Sequence, residues 1–300
     1  MNLQGVFAPV TTPFDPHTEE VDAGAMVANV NHWLGTPLAG VVLFGSTGEG
    51  VLLDPLEKQR LLGAVRPIIP EGRLLLVGTG AESTRATIRM TQVAAREGAD
   101  AVLVQPPAFY RPQMTPEALR AHFTAVADAA PVPVILYQVP PRFSTVDLAP
   151  GLVGALVHHP NIIGIKDSTG ELKSLGALVD ACGPHGTVLV GSGAMLYGAM
   201  ETGARGGIVA LALLAPHESA EICEAYQVGD LARAGRIQER IAPVHQEIVG
   251  KLGVPGVKAA LDMLGLVGGA PRSPLPALRE RERRQVGEAL HRADLLQELV

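Results

Sequence analysis

Asn161-Ile162-Ile163-Gly164-Ile165-Lys166-Asp167-Ser168 is the stretch on which the reading of the fold turns. Its isoleucines run on without a polar residue between them, and a lysine closes the run. A strand with one face in water alternates apolar and polar residues. A strand buried on both faces does not, and such strands belong mostly to parallel sheets covered by helices. Seven further short apolar runs share this character: Val6-Phe7-Ala8, Val41 to Phe44, Leu74 to Val77, Ala101 to Val104, Val134 to Tyr137, Val188 to Val190 and Ile208 to Leu211. Successive runs start 20 to 35 residues apart, the length of a strand with its returning helix. Helix signals lie between them. Asp54-Pro55-Leu56-Glu57 offers an N-cap, a proline at the first helical position and a glutamate three residues after the cap, which predicts a helix over 54–69. A second helix is predicted from Ser83 to Glu97, ending at Gly98, and a third from Thr115 to Ala129, opening on Thr-Pro-Glu-Ala. Eight such units predict a closed (β/α)8 barrel, an α/β fold of about 250 residues; an open doubly wound sheet fits the same pattern second best.

The chain has 300 residues, so a barrel leaves a remainder. Composition marks where it starts: 20 of residues 227–300 are charged, against 34 of residues 1–226. We therefore divide the chain into a barrel, 1–226, and a C-terminal helical extension, 227–300, with helices predicted near 229–249, 255–265 and 275–296. The run Arg279 to Arg284 alternates acid with base and reads as a solvated helix face. A net charge of −6 without a basic block argues against nucleic-acid partners. Cys182 and Cys223 make neither a disulfide framework nor a zinc motif, and the nine histidines show no metal-ligand spacing, so no metal or other cofactor is expected. Met-Asn-Leu-Gln-Gly does not resemble a signal peptide, and the longest apolar stretch, Gly206 to Pro216, is far too short to span a bilayer. A cytoplasmic chain that does not engage membranes is the expectation.

In a barrel the chemistry sits at the C-terminal ends of the strands. There Lys166 stands out, because only five lysines accompany nineteen arginines and the other four fall in polar or helical contexts. An ammonium at the end of a buried strand must be paired, deprotonated or reactive. The neutral amine attacks carbonyls to form a Schiff base; a salt bridge to a nearby carboxylate is the other reading. Tyr137 closes the neighbouring strand run at the same end, where a phenol could move protons or simply pack the rim. Gly45-Ser46-Thr47-Gly48-Glu49-Gly50 brings two hydroxyls and backbone N–H groups to the rim, suited to a carboxylate or phosphate, and lacks the lysine of a P-loop. Gly191-Ser192-Gly193 and Gly203 to Gly207 flank the last two strands, where barrels often hold phosphate; close packing explains glycines there equally well.

Together, Gly45-Ser46-Thr47-Gly48-Glu49, Tyr137-Gln138-Val139-Pro140 and Ile162 to Ser168 resemble, in order and spacing, the dihydrodipicolinate synthase/N-acetylneuraminate lyase family. The likeness runs from Gly5-Val6-Phe7-Ala8-Pro9 to Arg272-Ser273-Pro274-Leu275. It implies a (β/α)8 barrel with a helical extension, class I aldolase chemistry on pyruvate or a 2-oxo acid, no cofactor, and a homotetramer. By position it makes Lys166 the Schiff-base lysine, Tyr137 the proton donor and acceptor, and Ser46 the relay hydroxyl in place of a threonine. Thr47 and Gly45 would hold the 2-oxo acid, Ile208 would contribute a backbone contact, and Arg142 would hold the carboxylate of an aldehyde substrate. Gln105-Pro106-Pro107-Ala108-Phe109-Tyr110 departs from the synthases' Thr-Pro-Tyr-Tyr-Asn, so either Phe109 or Tyr110 falls where they place a relay tyrosine. That segment through Met114, with Tyr137-x-Val-Pro and Gly253-Val254-Pro255-Gly256-Val257-Lys258, is more similar to 4-hydroxy-2-oxoglutarate aldolases, which yield pyruvate and glyoxylate. Dihydrodipicolinate synthase is the alternative, a phosphate-binding barrel isomerase leaves Lys166 and Tyr137 unexplained, and a non-catalytic 2-oxo-acid-binding barrel is the reading from another class.

Overall fold

The computed structural model describes residues 1–296. Its eight parallel strands are β1 Gly5–Pro9, β2 Gly40–Leu43, β3 Leu74–Gly78, β4 Ala101–Val104, β5 Val134–Gln138, β6 Ile162–Asp167, β7 Thr187–Val190 and β8 Gly206–Ile208. They pair in chain order, and β8 returns to β1 with Gly5 opposite Gly206 and Phe7 opposite Ile208, so the sheet closes. The barrel is the observed fold and the open sheet is excluded. Period-two geometry sends Phe7, Val42, Leu76, Leu103, Ile135, Tyr137, Leu189 and Ile208 into the barrel interior. The alternate residues, among them Ala8, Val41, Leu75, Val102, Leu136 and Ile165, pack under the helices. Both faces are dry, which is why the strand runs show no alternation. The glycines beside the last strands serve this closure: a Cβ on Gly206 would run into the carbonyl of Gly5, and one on Gly207 would sit 2.8 Å from that of Val190.

Helices α1 Ala23–Leu34, α2 Pro55–Val65, α3 Thr84–Arg96, α4 Pro116–Ala129, α5 Pro150–Leu156, α6 Leu172–Cys182, α7 Leu196–Glu201 and α8 Pro216–Gln227 follow the strands in turn. Asp54 accepts the N–H groups of Leu56 and Glu57 while Glu57 accepts that of Asp54, the reciprocal cap read from the sequence. Ser83 and Thr115 cap α3 and α4. The helix predicted over 54–69 leaves α geometry after Val65, where Pro67 supplies no N–H and the chain tightens into a 3-10 turn, Arg66–Ile68.

Beyond the barrel come α9 Leu231–Val244, a π-helical turn His245–Gly250, α10 Gly253–Met263 and α11 Glu280–Arg292. The last begins later than predicted because Pro274 and Pro276 lie just before it. Ile241, Val244, Ile248, Val257, Leu261 and Leu290 join the same apolar layer that covers the strands. Lys258, one of the four lysines in polar or helical contexts, is fully buried and paired, with its Nζ 2.7 Å from Glu49 Oε1 and donating to the carbonyl of Ala270 at 2.8 Å. Helix α10 lies over the loop that follows β2, so the lysine's charge partner comes from a residue 209 positions away in sequence.

Candidate active site at the C-terminal mouth of the barrel

Strands β5 and β6 run side by side with Tyr137 in register with Lys166. Both side chains are buried, and the lysine Nζ lies 4.3 Å from the centre of the phenol ring. Among the described residues no carboxylate pairs with Lys166, so the salt-bridge reading of its position has no partner. Asp167, the next residue, points the other way. Its carboxylate accepts the N–H and hydroxyl of Thr169 at 3.1 and 2.8 Å, and burial pushes its carboxyl above the usual range.

The loop after β2 delivers the hydroxyls. Ser46 Oγ lies 3.4 Å from the Tyr137 hydroxyl, which completes a line from Ser46 through Tyr137 to Lys166. Phe44 and Glu49, with φ of 58° and 55°, bracket this loop in the left-handed region, a conformation that costs a bulky residue on the order of 1–3 kcal/mol. Contacts from three directions hold it there. The Thr12 hydroxyl donates to Gly48 O at 2.6 Å, Gly45 O accepts the N–H groups of Gly48 and Gly50, and the Glu49 carboxylate takes Lys258 on one oxygen and the Arg272 N–H on the other at 2.8 Å. Arg272 is itself paired with Glu57. The C-terminal extension thus anchors the loop. Thr47 Oγ1 and the Thr47 N–H have no protein partner among the described residues and face a cavity of about 300 Å³.

That cavity gathers Ser46 and Thr47 from the loop after β2, Tyr137 from β5, Arg142 from the loop after β5, Lys166 from β6 and Ile208 from β8. Arg142 stands at its edge with Nη1 donating to Gly250 O at 2.8 Å and its guanidinium 4.9 Å from the Phe143 ring centre. Three candidates lie elsewhere. Gly45 ties the loop and does not line the cavity, and Phe109 and Tyr110 stack edge to face, 5.2 Å apart, on the outer rim with 79% and 68% of their surfaces exposed. The Glu82 carboxylate holds their loop by accepting the N–H groups of Ala108 and Phe109 at 3.0 and 2.9 Å. Sequence reasoning missed Ser168, Ser192 and His245, which also line the cavity. Ser168 closes the quoted strand motif and Ser192 sits in a noted glycine turn, but nothing local distinguishes His245 in its helical tail. Gly191 is needed for proximity, since a Cβ there would collide with the Ser168 hydroxyl.

The model of the dihydrodipicolinate synthetase family matches residues 2–293. The chain belongs to that family. This makes it a carbon–carbon lyase of the class I aldolase type. Among its relatives, the 4-hydroxy-tetrahydrodipicolinate synthase of Ruegeria pomeroyi is 36% identical over 98% of this chain and 100% of its own. A probable mitochondrial 4-hydroxy-2-oxoglutarate aldolase of Emericella nidulans is 34% identical over 96% of this chain and 94% of its own. The chloride-inhibited dihydrodipicolinate synthase of Acinetobacter baumannii, solved with pyruvate, superimposes with a TM-score of 0.93 at 32% identity, covering 98% of this chain and all of that one. Among the described residues of this family member, no helix is long and apolar enough to cross a membrane.

Proposed function

We propose that this aldolase forms a Schiff base between Lys166 and a 2-oxo acid and cleaves 4-hydroxy-2-oxoglutarate to pyruvate and glyoxylate. The observation that carries the Schiff-base reading is the convergence of buried Lys166, Tyr137 and Ser46 on one small cavity beside the unpartnered Thr47. The lysine amine attacks the C2 carbonyl and water leaves, giving an iminium. Thr47 receives the adjacent carboxylate on its hydroxyl and N–H, and Ile208 borders the methyl or methylene side. Tyr137, left as a phenolate once it has given its proton to the departing water, takes the proton of the C4 hydroxyl; the C3–C4 bond breaks, its electrons pass into the iminium as an enamine, and the aldehyde departs. The same phenol returns the proton to C3 with Ser46 as relay, and water releases pyruvate. Phe109 supports the aldolase, since a phenylalanine carries no hydroxyl for the synthases' relay. Tyr110 is the other candidate for that position.

Arg142 supports the second reading, condensation of pyruvate with aspartate semialdehyde, because its guanidinium borders the cavity where an aldehyde's carboxylate would lie. The experiment has two arms. Incubation with pyruvate and borohydride, followed by intact and peptide mass measurement, is expected to show one adduct on the Lys166 peptide, absent from Lys166→Ala. Folded protein without adduct overturns the Schiff-base reading. Pyruvate release from 4-hydroxy-2-oxoglutarate is then compared with condensation on aspartate semialdehyde, and preference for the latter reverses the substrate choice. We further propose a cytoplasmic homotetramer whose contacts include the exposed Val51, Leu56, Phe109 and Tyr110 (37–80% is the range of exposed apolar side chains). A monomer by sedimentation would refute it. We also propose that residues 227–300, of which 297–300 lie outside the described residues, make up an extension whose helices anchor the loop after β2.

A further inference from the structure

The cavity has a polar surface that the Schiff-base steps leave unused, centred on Ser192 after β7 and His245 at the start of the π-helical turn. His245 Nε2 lies 3.3 Å from Ser192 Oγ. His245 Nδ1 is shut off from solvent with no hydrogen-bond partner among the described residues. It faces Gly193, where a Cβ would stand 3.2 Å from that nitrogen and 2.5 Å from the Cβ of Leu211, so the glycine leaves the ring its place.

This arrangement decides where the imidazole proton sits. A neutral imidazole carries one N–H. Placed on Nδ1, it would be a buried donor with nothing to receive it, and orphaned buried N–H groups are rarer than under-used acceptors. The proton therefore sits on Nε2, and the ring donates to Ser192 Oγ. With a lone pair engaged by His245, the Ser192 hydroxyl keeps its own proton for another acceptor. No second partner is present among the described residues, and the group borders the cavity. The imidazole stays neutral: burial first, and then the Arg142 charge, pull it down to about 4.

The place of this donor in the cavity indicates what it receives. Thr47 serves the 2-oxo acid's carboxylate from the loop after β2. His245 instead shares its turn with Gly250, the residue that holds Arg142. Ser192, His245 and Arg142 thus form one group, a neutral donor beside a cation. We propose that Ser192, oriented by His245, donates a hydrogen bond to an oxygen on the aldehyde-derived half of the substrate, with His245 as its positioning residue. This rests on the lyase reading above.

The full-length enzyme and its Ser192→Ala, His245→Leu and His245→Gln variants are compared in two measurements. The first is the pyruvate concentration that half-saturates borohydride trapping on Lys166. The second is the KM for the aldehyde, taken with glyoxylate and with aspartate semialdehyde. Ser192→Ala and His245→Leu are expected to raise the KM for the aldehyde used about tenfold, the loss of one hydrogen bond, with half-saturating pyruvate unchanged within twofold. His245→Gln keeps a side-chain N–H donor and is expected to recover most of the loss, which a merely structural role of the ring would not allow. Ser192→Ala is small enough to keep the fold and decides the matter alone if His245→Leu does not fold. A normal adduct with unchanged KM for both aldehydes in Ser192→Ala overturns the proposal. An equal rise in half-saturating pyruvate also overturns it, by moving Ser192 to the 2-oxo acid end. Absence of an adduct in the parent enzyme removes the Schiff-base reading itself, and this proposal with it.

Discussion

Replacing Lys258 by methionine tests whether the C-terminal extension sets the geometry of the site. Both members of the Lys258–Glu49 pair are fully buried and 2.7 Å apart, and methionine keeps most of the stem volume, so no large cavity opens. What is lost is the charge partner of a buried carboxylate and the bond to Ala270 O. Removing one side of such a pair costs about 3–5 kcal/mol, a large part of the roughly 5–15 kcal/mol that holds a domain together. At a denaturant slope of about 3 kcal/mol per molar urea, the midpoint should fall by about 1–1.7 M. The double variant Glu49→Gln/Lys258→Met removes both charges while leaving an amide oxygen for the Arg272 N–H. Its stability should return to within about 1 kcal/mol of the parent, because two neutral groups carry no unpaired-charge penalty. Half-saturating pyruvate in the trapping assay should rise severalfold in Lys258→Met, since Glu49 ends the loop that carries Ser46 and Thr47. Single variants costing less than about 1 kcal/mol, or a double variant as costly as the sum of the singles, would show that the pair is not the clamp described here.

Two further outcomes are expected. Tyr137→Phe removes the hydroxyl that lies 3.4 Å from Ser46 Oγ while leaving the ring beside Lys166, so turnover should fall about 10²–10⁴-fold with borohydride trapping retained; near-normal kcat would exclude the phenol as the proton carrier. His122 is buried with Nδ1 2.8 Å from Thr84 Oγ1 and an Nε2 that has no partner among the described residues, and burial pulls its imidazole down to about 4. The unfolded chain takes up this proton near pH 6.5 and the folded chain does not, so its contribution is complete above that pH and is lost as pH falls toward 4. By pH 5 the loss is about 2 kcal/mol. His122→Leu should flatten the fall in unfolding free energy between pH 7 and 5, and an unchanged slope would contradict the assignment; His245 shifts the same way and leaves a residual slope.

How much of this was legible in the amino-acid order depends on the range over which each feature is decided. The strands could be read because burial on both faces imposes uninterrupted apolar runs, and the caps of α2, α3 and α4 because an N-cap bonds within three residues. Lys166 and Tyr137 could be read because each ends its own strand, and strand ends are where a barrel opens. Gly45, which the family likeness assigns to the 2-oxo acid, ties the turn through its carbonyl, since sequence adjacency does not say which of two residues faces inward. Phe109 and Tyr110 lie on the rim, a matter of how their loop leaves β4 and of the Glu82 carboxylate that catches it. The strand runs, the helix caps and the lysine that ends β6 were thus legible in the sequence alone, through interactions that act over a few residues, while closure of the sheet was decided by the pairing of β8 with β1. The burial of Lys258 against Glu49 and the meeting of His245 with Ser192 were decided only by tertiary structure. Each joins the extension to a loop that chain order places far away, and only closure of the barrel and docking of its tail bring those groups within hydrogen-bonding reach.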